Sequence, residues 1–318
     1  MIVLDGLTKR YAASTVVDAV SMRVERDSIT AIVGTSGSGK STLLRMINRL
    51  VEPSAGRVWI DGRDTADEPP HLLRRRIGYV IQGNGLFPHR TVAQNIATVP
   101  RLLGWSDARI AARTAELLEA LQLDPVRYAG QYPHELSGGQ QQRVGVARAL
   151  AAEPKVLLMD EPFGALDPIL RAKAQEDLLA VRRRFGTTIV LVTHDIDEAF
   201  RLGDQVAVMR HGRILQCDRP AALLTRPADP FVAELAGRGD PALRLLSLTT
   251  AGDAAEPAAA GDVDDGESAV PIPADASLRE ALSLLVWRGA QAGRVVDPDG
   301  RVRGVLRVAA ILAHGRPR

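Results

Sequence analysis

One glycine-rich segment constrains the fold of this chain more than any other feature. It follows a short apolar run at 29–33, typical of a buried strand, and precedes a helical pattern at 41–50. The segment reads Gly34, Thr35, Ser36, Gly37, Ser38, Gly39, Lys40, Ser41 and Thr42. Glycines let backbone N–H groups curl around phosphate oxygens, and the helix dipole favours an anion there. This strand–loop–helix order predicts a phosphate-binding loop.

Two side-chain types in and after this loop predict nucleotide chemistry. Lys40 supplies a positive charge to the outer phosphates, and Ser41 supplies a hydroxyl ligand for Mg²⁺. A second apolar run at 156–159 ends in Asp160 and Glu161. Asp160 is suited to hold Mg²⁺ through water, and Glu161 to polarise an attacking water as general base. The pattern predicts hydrolysis of a magnesium-bound nucleotide, provided that the fold brings the two segments together.

Short apolar runs alternate with helical patterns over the first 235 or so residues. The runs are rich in Val, Ile and Leu and lie at 29–33, 77–81, 156–159, 188–193 and 206–209. Such nearly continuous runs are typical of strands buried on both faces of a mainly parallel sheet. Helices are predicted over 106–121 and 140–152. The expected fold class is therefore α/β.

Composition and charge narrow the expected class of partner. The chain has 318 residues, with 40 Lys and Arg against 38 Asp and Glu, so its net charge is +2. This balance argues against a surface dominated by polyanion binding, and no nucleic-acid partner is expected. No apolar run approaches the length needed to span a bilayer, and residues 1–10 lack the apolar core of a secretory signal. We expect a cytoplasmic chain.

The composition changes in the last third of the chain. Acidic residues without basic neighbours occur among Ala and Gly, namely Asp253, Glu256, Asp262, Asp264, Asp265 and Glu267. This pattern predicts a flexible acidic linker over 239–268. Beyond it, Ser277 and Glu280 form a capping pattern for a helix at 278–286. Strands are expected at 294–296 and 302–306, joined by a turn. A small α+β module is therefore expected over 269–318.

A third motif carries a family resemblance. The sequence Leu136, Ser137, Gly138, Gly139 and Gln140 precedes a predicted helix, so it is a second anion-binding helix start. Together with the two motifs above, it resembles the signature of the ATP-binding subunits of ABC transporters. The resemblance implies an ATP-binding domain at 1–238, with a helical subdomain at about 86–152. It also implies that two copies sandwich two ATP molecules, the signature of each facing the phosphate loop of the other.

The resemblance implies roles for further residues. Tyr11 matches the aromatic residue that stacks on adenine. Gln82 matches a glutamine that contacts Mg²⁺ and the attacking water, and Asp167 matches a loop that communicates across the dimer. His194 matches the switch histidine at the γ-phosphate. The implied catalytic residues are then Glu161, His194 and Gln82, and the implied metal ligands are Ser41, Gln82 and, through water, Asp160.

Shorter patterns narrow the resemblance to importers of quaternary-amine osmoprotectants such as glycine betaine, choline or carnitine. The segment 161–167 has the form common in importers rather than exporters, and the segments 77–82, 85–89 and 132–135 resemble those of the osmoprotectant subfamily. Residues 270–312 resemble a single CBS motif, which such subunits often carry. Arg307 and Ala310 stand where the nucleotide-binding version commonly has Ser or Thr and Asp. The module is therefore expected to serve as a dimerisation or scaffolding unit or as a regulator.

The implied function is ATP hydrolysis that energises import through a separate permease. The resemblance further implies an extracytoplasmic solute-binding protein, and a location on the inner face of the cell membrane. Three alternatives stay open: the same motor with another cargo such as polyamine, sulfate or nitrate, a nucleic-acid machine, and a small-molecule kinase. The single cassette without a long coiled-coil insertion argues against the second, and the signature and His194 argue against the third.

Overall fold

The computed structural model describes residues 1–12, 14–83, 85–237, 239–257 and 270–316. The chain divides into two compact units, Met1–Cys217 and Asp218–Arg318. Each unit has its own core of buried apolar side chains.

The first unit alternates strands and helices. Its strands are β1 (Ile2–Tyr11), β2 (Ser14–Val24), β3 (Ile29–Val33), β4 (Ala55–Ile60), β5 (Arg63–Asp64), β6 (Ile77–Val80), β7 (Val156–Asp160), β8 (Thr188–Thr193), β9 (Gln205–Arg210) and β10 (Arg213–Asp218). Its helices are α1 (Lys40–Ile47), α2 (Pro70–Arg75), α3 (Val92–Ile96), α4 (Thr98–Leu102), α5 (Asp107–Ala120), α6 (Pro125–Tyr128), α7 (Gly138–Leu150), α8 (Pro168–Phe185) and α9 (Ile196–Leu202).

A six-stranded sheet carries the predicted motifs. Its order is β10-β9-β3-β8-β7-β6, and the pairs β9/β3, β3/β8, β8/β7 and β7/β6 are parallel. Every residue of β3, β7 and β8 is buried, which explains their continuous apolar sequences. The predicted α/β class with a mainly parallel sheet is confirmed. Because parallel strands end at one edge, the glycine-rich loop, Asp160 and His194 all follow strand ends on the same side.

A second sheet in this unit was not anticipated by the sequence analysis. It has four antiparallel strands in the order β2-β1-β4-β5. Its long strands mix buried and exposed positions and contain register shifts, so they lack a continuous apolar run. Leu4 of β1 belongs to one apolar core with Leu44 of α1 and Leu158 of β7. This core joins the two sheets through α1, the helix that follows the glycine-rich loop.

The helices α3 to α7 lie between β6 and β7 in the chain. Their apolar residues Leu117, Leu118 and Val144 share a core with Leu157 of β7. Ser106 caps α5 by accepting a hydrogen bond from the backbone N–H of Arg109, and the helix predicted there is confirmed. These helices occupy the range in which a helical subdomain was expected.

The second unit combines helices with a three-stranded sheet. Its helices are α10 (Pro220–Thr225), α11 (Pro230–Gly237), α12 (Pro241–Ser247), α13 (Ala251–Ala254), α14 (Leu278–Arg288) and α15 (Val308–His314), and its strands are β11 (Val270–Pro273), β12 (Ala292–Val296) and β13 (Val302–Arg307). β11 and β12 are parallel, and β12 and β13 are antiparallel. Ser277 and Glu280 form the expected capping box of α14. The CBS interpretation of 269–318 stays a prediction.

The predicted flexible linker at 239–268 needs correction. Residues 241–247 and 251–254 are helical, and Leu246 and Ala251 are buried with Leu285 and Ile311. The acidic residues on which the linker prediction rests begin at Asp253, so they do not describe α12, which contains three Leu and no acidic residue. The part of the linker from residue 258 to 268 lies outside the described residues. Since α10 packs on α11 and α12, the compact second unit begins at Asp218, earlier than the predicted boundary at 238.

The longest helix of the described chain is α8. α8, with 18 residues, carries several charged side chains. In the portions of the chain that the structure describes, no helix has both the length and the apolar character to cross a bilayer.

Candidate functional site

The glycine-rich loop connects β3 to α1 and is closed tightly against its neighbours. A Cβ atom on Gly34 would lie 2.0 Å from the carbonyl oxygen of Met209, so no larger residue fits there. Gly39 has φ +100° as the N-cap of α1, a conformation that favours glycine. Ser38 is buried, and its Oγ has no hydrogen-bond partner among the described residues. The loop thus offers a cradle with an unsatisfied polar atom, which fits a phosphate.

Lys40 is held inside this loop. Its Nζ donates hydrogen bonds to the carbonyl oxygens of Gly34 at 2.8 Å and Thr35 at 2.9 Å, and the residue is only 5% exposed. Burial lowers the pKa of the Lys40 ammonium, while the nearby charges of Glu161 and Asp160 raise it. The loop therefore presents a fixed cation beside two carboxylates.

Asp160 joins β7 to the helix after the glycine-rich loop. The Oγ of Ser41 donates to its Oδ1 at 2.7 Å, across 119 residues of sequence. The Nη2 of Arg45 donates to its Oδ2 at 3.2 Å, and the carboxylate is 1% exposed. A hydrogen bond with Tyr79 raises the pKa of Arg45, and burial raises the pKa of Tyr79. The fold brings the two predicted motifs together, as their proposed chemistry requires.

Arg45 and Tyr79 were not identified from the sequence. Arg45 follows Ser41 by one helical turn, so both side chains lie on the face of α1 that meets Asp160. That spacing was a usable signal for Arg45. Tyr79 lies on β6, and its contact depends on the neighbouring strand β7, which the sequence pattern does not specify.

Glu161 is the point at which three predicted residues meet. Its Oε2 lies 3.4 Å from Nε2 of Gln82 and 3.3 Å from Nδ1 of His194. These residues follow β6, β7 and β8, so parallel pairing brings them together. Glu161 has φ +46°, and its backbone N–H donates to the carbonyl oxygen of Val192 at 3.0 Å. A non-glycine residue in this region costs about 1 kcal/mol, and such strain clusters at functional sites.

The signature segment begins α7, the last of the helices between β6 and β7. Ser137 is the N-cap, accepting a hydrogen bond from the N–H of Gln140, whose side chain accepts from the N–H of Ser137. Leu136 is buried, whereas Gly138 has no atom within 4 Å of the position a Cβ would take. The nearest atom to a Cβ on Gly139 is a Leu170 methyl carbon at 3.5 Å. The contact of this segment with a second copy stays a prediction.

Two further predicted residues lie at the ends of regular elements. Asp167 caps α8 by accepting hydrogen bonds from the N–H groups of Ile169 and Leu170. Tyr11 ends β1 and is 48% exposed, with the Lys9 ammonium 5.0 Å from its ring centre. An exposed ring is available for stacking on a base, and this role also stays a prediction.

Glu198 is a buried acid that sequence analysis missed. It lies in the first turn of α9 and is 6% exposed. Burial raises the pKa of Glu198 to about 7, although a hydrogen bond from Thr193 lowers it. The charge of Asp195 raises this pKa further, whereas Arg171 and the hydrogen bond from Gln175 lower it. This side chain therefore titrates near neutral pH.

The raised pKa of Glu198 predicts a pH-dependent stability difference. The folded state binds the Glu198 proton more tightly than the unfolded state does. Protonation of Glu198 therefore stabilises the folded state fully when the pH is below the ordinary pKa of a glutamic acid. This stabilisation is lost as pH rises through about 7. Relative to Glu198→Gln, the wild-type chain should lose about 2 kcal/mol of unfolding free energy between pH 5 and pH 8. Urea unfolding of both chains at the two pH values measures this change, and a constant difference between them would contradict it.

The glycine-rich loop, the strand-end carboxylates, the Gln82–Glu161–His194 cluster and the signature helix together define an ATP-hydrolysing cassette. The chain belongs to the ABC transporter family, whose model matches residues 17–164. The cassette binds and hydrolyses ATP.

Individual relatives extend this result to almost the whole chain. It is 48% identical over 314 residues to a glycine betaine uptake system ATP-binding protein, YehX, of Escherichia coli K12, covering 99% of this chain and 100% of that protein. It is 44% identical to the osmoprotectant import ATP-binding protein OsmV of Salmonella typhimurium, covering 96% and 79% of the two chains. A solved dimeric ATP-binding cassette, MJ0796 with ADP and phosphate, matches with 34% identity and a TM-score of 0.62, covering 69% of this chain and 98% of that chain.

Proposed function

We propose that Glu161 is the general base of ATP hydrolysis, supported by Gln82 and His194. The observation that carries this proposal is the convergence of both side chains on Oε2 of Glu161. A carboxylate at this point is able to accept a proton from an attacking water. Gln82 orients that water, and His194 contacts the γ-phosphate from the end of β8. Catalysis then consists mainly of positioning and charge stabilisation.

The donor set beside the loop fits Mg²⁺. Ser41, Asp160 and Gln82 supply oxygen atoms, which this hard cation prefers, with Asp160 acting through water. In the described residues, no group of three or more His, Cys, Asp or Glu side chains is placed to hold a metal ion. Few protein ligands are expected for Mg²⁺ at a nucleotide, because it keeps phosphate and water oxygens. When bound, Mg²⁺ neutralises charge on the phosphate oxygens.

ATP is proposed to lie between two copies of this chain. In each copy residues 34–42 hold the phosphates, and Tyr11 stacks on adenine. Residues 136–140 and Asp167 of one copy then face the ATP held by the other. The exposed Gly138 at the start of α7 and the dimeric state of the similar solved cassette support this arrangement.

The imported solute is proposed to be a quaternary-amine osmoprotectant such as glycine betaine, choline or carnitine. The names of relatives that match nearly the whole chain support this choice. Import requires transmembrane permease subunits and an extracytoplasmic solute-binding protein, which places this chain on the inner face of the membrane. Co-purification of these partners, followed by solute binding to the binding protein, tests the assignment. Binding of a polyamine, sulfate or nitrate instead would replace the proposed cargo.

An apolar groove between the helices α3 to α6 is proposed to receive the permease. The groove has a volume of about 320 Å³ and is lined mainly by small and apolar side chains of α3 to α6, including Ala97, Ile110 and Ala111. Asn95 of α3 accepts a hydrogen bond from the N–H of Phe87 at 2.8 Å. This bond ties the groove to the segment after Gln82. A permease helix moving in the groove is thereby linked to the catalytic cluster.

The groove predicts a substitution that uncouples the permease. Ala111→Glu places a charge on the apolar groove wall and should lower permease stimulation of ATP hydrolysis at least fivefold, because the charge loses water on docking. Ala112→Glu adds the same charge at the next, exposed position of α5, outside the groove lining, and should preserve stimulation. ATPase assays of the reconstituted complex compare the two variants. Equal stimulation in both would exclude this groove as the docking site.

A further inference from the structure

A buried polar contact lies between the helices that follow Asp167 and His194. It consists of Arg171 and Gln175 of α8, Thr193 at the end of β8, and Asp195 and Glu198 at the start of α9. We call these residues the α8–α9 junction. Glu198 is 6%, Gln175 5% and Thr193 3% exposed, so these three members are shielded from water. The Nε2 of Gln175 donates to Oε2 of Glu198 at 3.4 Å. Buried polar groups of this kind fix the relative position of the elements that carry them.

The junction connects two loops of the candidate site. The Nη2 of Arg171 donates to the carbonyl oxygen of Leu166 at 3.2 Å, immediately before Asp167. The Nη1 of the same guanidinium lies 3.6 Å from Oδ2 of Asp195. The backbone N–H of Asp195 donates to Oγ1 of Thr193 at 3.0 Å. In the chain, His194 therefore lies between the junction residues Thr193 and Asp195. Asp167 follows Leu166, whose carbonyl oxygen accepts the hydrogen bond from Arg171.

The pairing within the junction is incomplete. Among the described residues, Nε of Arg171 and Oε1 of Glu198 are buried without hydrogen-bond partners. They carry opposite charges and lie on the two helices that the junction joins. Leaving polar atoms buried and unpaired is costly, so the free energy of this junction is sensitive to the relative position of α8 and α9. Contiguous hydrogen bonds and ion pairs of this kind are the contacts through which loop movements are transmitted.

We propose that Glu198 is a positioning residue that couples the backbone at His194 to the helix after Asp167, so that movement of either loop moves the other. This role rests on the site proposed above, in which both loops meet ATP. Glu198 touches none of the reacting atoms and acts through Thr193, Gln175 and Arg171.

The charge of Glu198 gives the coupling a pH dependence. The charged groups that face it are Asp195 at the start of its own helix and Arg171 on α8. The strands β3 and β8, which also pack on α9, contribute no titratable side chain. With a pKa of about 7, the carboxyl is neutral below this value and charged above it. The charged form attracts Arg171 more strongly. Coupling is therefore strongest at the alkaline side of neutrality.

The test compares ATP hydrolysis by the full chain with its Glu198→Gln and Glu198→Ala variants from pH 6 to pH 9. Glu198→Gln resembles the protonated acid, so the ratio of wild-type kcat to its kcat should rise from about 1 at pH 6 to about 5 at pH 8. Taking the ratio cancels any pH effect that the two chains share. Glu198→Ala should lower kcat about tenfold at pH 8 with KM for ATP unchanged within twofold. Glu119→Gln makes the same chemical change at an exposed position of α5, away from the junction, and should leave kcat unchanged at every pH.

Two outcomes would overturn the proposal. One is a wild-type to Glu198→Gln ratio that is independent of pH, and the other is a loss that appears in KM while kcat is preserved. Circular dichroism checks folding, and if Glu198→Ala does not fold, the Glu198→Gln ratio decides alone. If either of these outcomes is found while the Glu161→Gln variant is inactive, only the positioning role of Glu198 is rejected. Wild-type turnover in Glu161→Gln rejects the proposed site itself.

Discussion

Glu161→Gln should lower the kcat of ATP hydrolysis at least 100-fold while ATP-induced dimerisation persists. The amide keeps the size of the carboxylate and its place between Gln82 and His194. It cannot accept the proton of the attacking water, and a positioned general base contributes about 10²- to 10⁴-fold. ATP binding depends on residues 34–42, which the substitution leaves in place. Phosphate release measures kcat, and light scattering after size exclusion measures the dimer.

Glu119→Gln is the matched control for this experiment. It makes the same chemical change at an exposed position of α5 and should leave hydrolysis unchanged. Turnover above a tenth of the wild-type rate in Glu161→Gln would remove Glu161 from the role of base. Loss of the ATP-dependent dimer together with hydrolysis would instead show that the residue is needed for nucleotide binding.

Lys40→Ala should weaken ATP binding about 10- to 100-fold. The substitution removes the cation that the loop holds against the carbonyl oxygens of Gly34 and Thr35. Hydrogen bonds to charged groups contribute about 1.5–3 kcal/mol, which corresponds to this range. Isothermal titration calorimetry with ATP measures the dissociation constant.

Lys155→Ala makes the same change at an exposed lysine preceding β7, at the opposite end of the strand from Asp160. Its affinity for ATP should equal that of the wild-type chain. Unchanged affinity in Lys40→Ala, with folding verified by circular dichroism, would contradict the assignment of this loop to the phosphates.

The parts of the fold that the sequence predicts are those with a strong local signal. β3, β7 and β8 are buried along their whole length, so their apolar runs are continuous and their limits are predicted within one residue. The capping box at Ser277 likewise marks the start of α14. The edge at which parallel strands end then explains why Gln82, Glu161 and His194 meet.

The parts of the fold and site that could not be predicted from the sequence depend on contacts between distant segments. β1 and β2 expose many of their residues, so they lack the continuous apolar run by which the buried strands were predicted. Helices α12 and α13 contribute few apolar residues to a core formed mainly by later elements. The contacts of Tyr79 and Glu198 follow from strand order and from the packing of α8 on α9. Neither has a sequence spacing that identifies it.

The most direct test of the central claim is ATP-driven solute uptake by the complete transporter in proteoliposomes. The complex would contain this chain, its co-purified permease and the solute-binding protein, with ATP enclosed on the side of this chain. We expect accumulation of radiolabelled glycine betaine, choline or carnitine that is abolished by Glu161→Gln. Uptake of spermidine, sulfate or nitrate in their place, or uptake that persists in Glu161→Gln, would contradict the account.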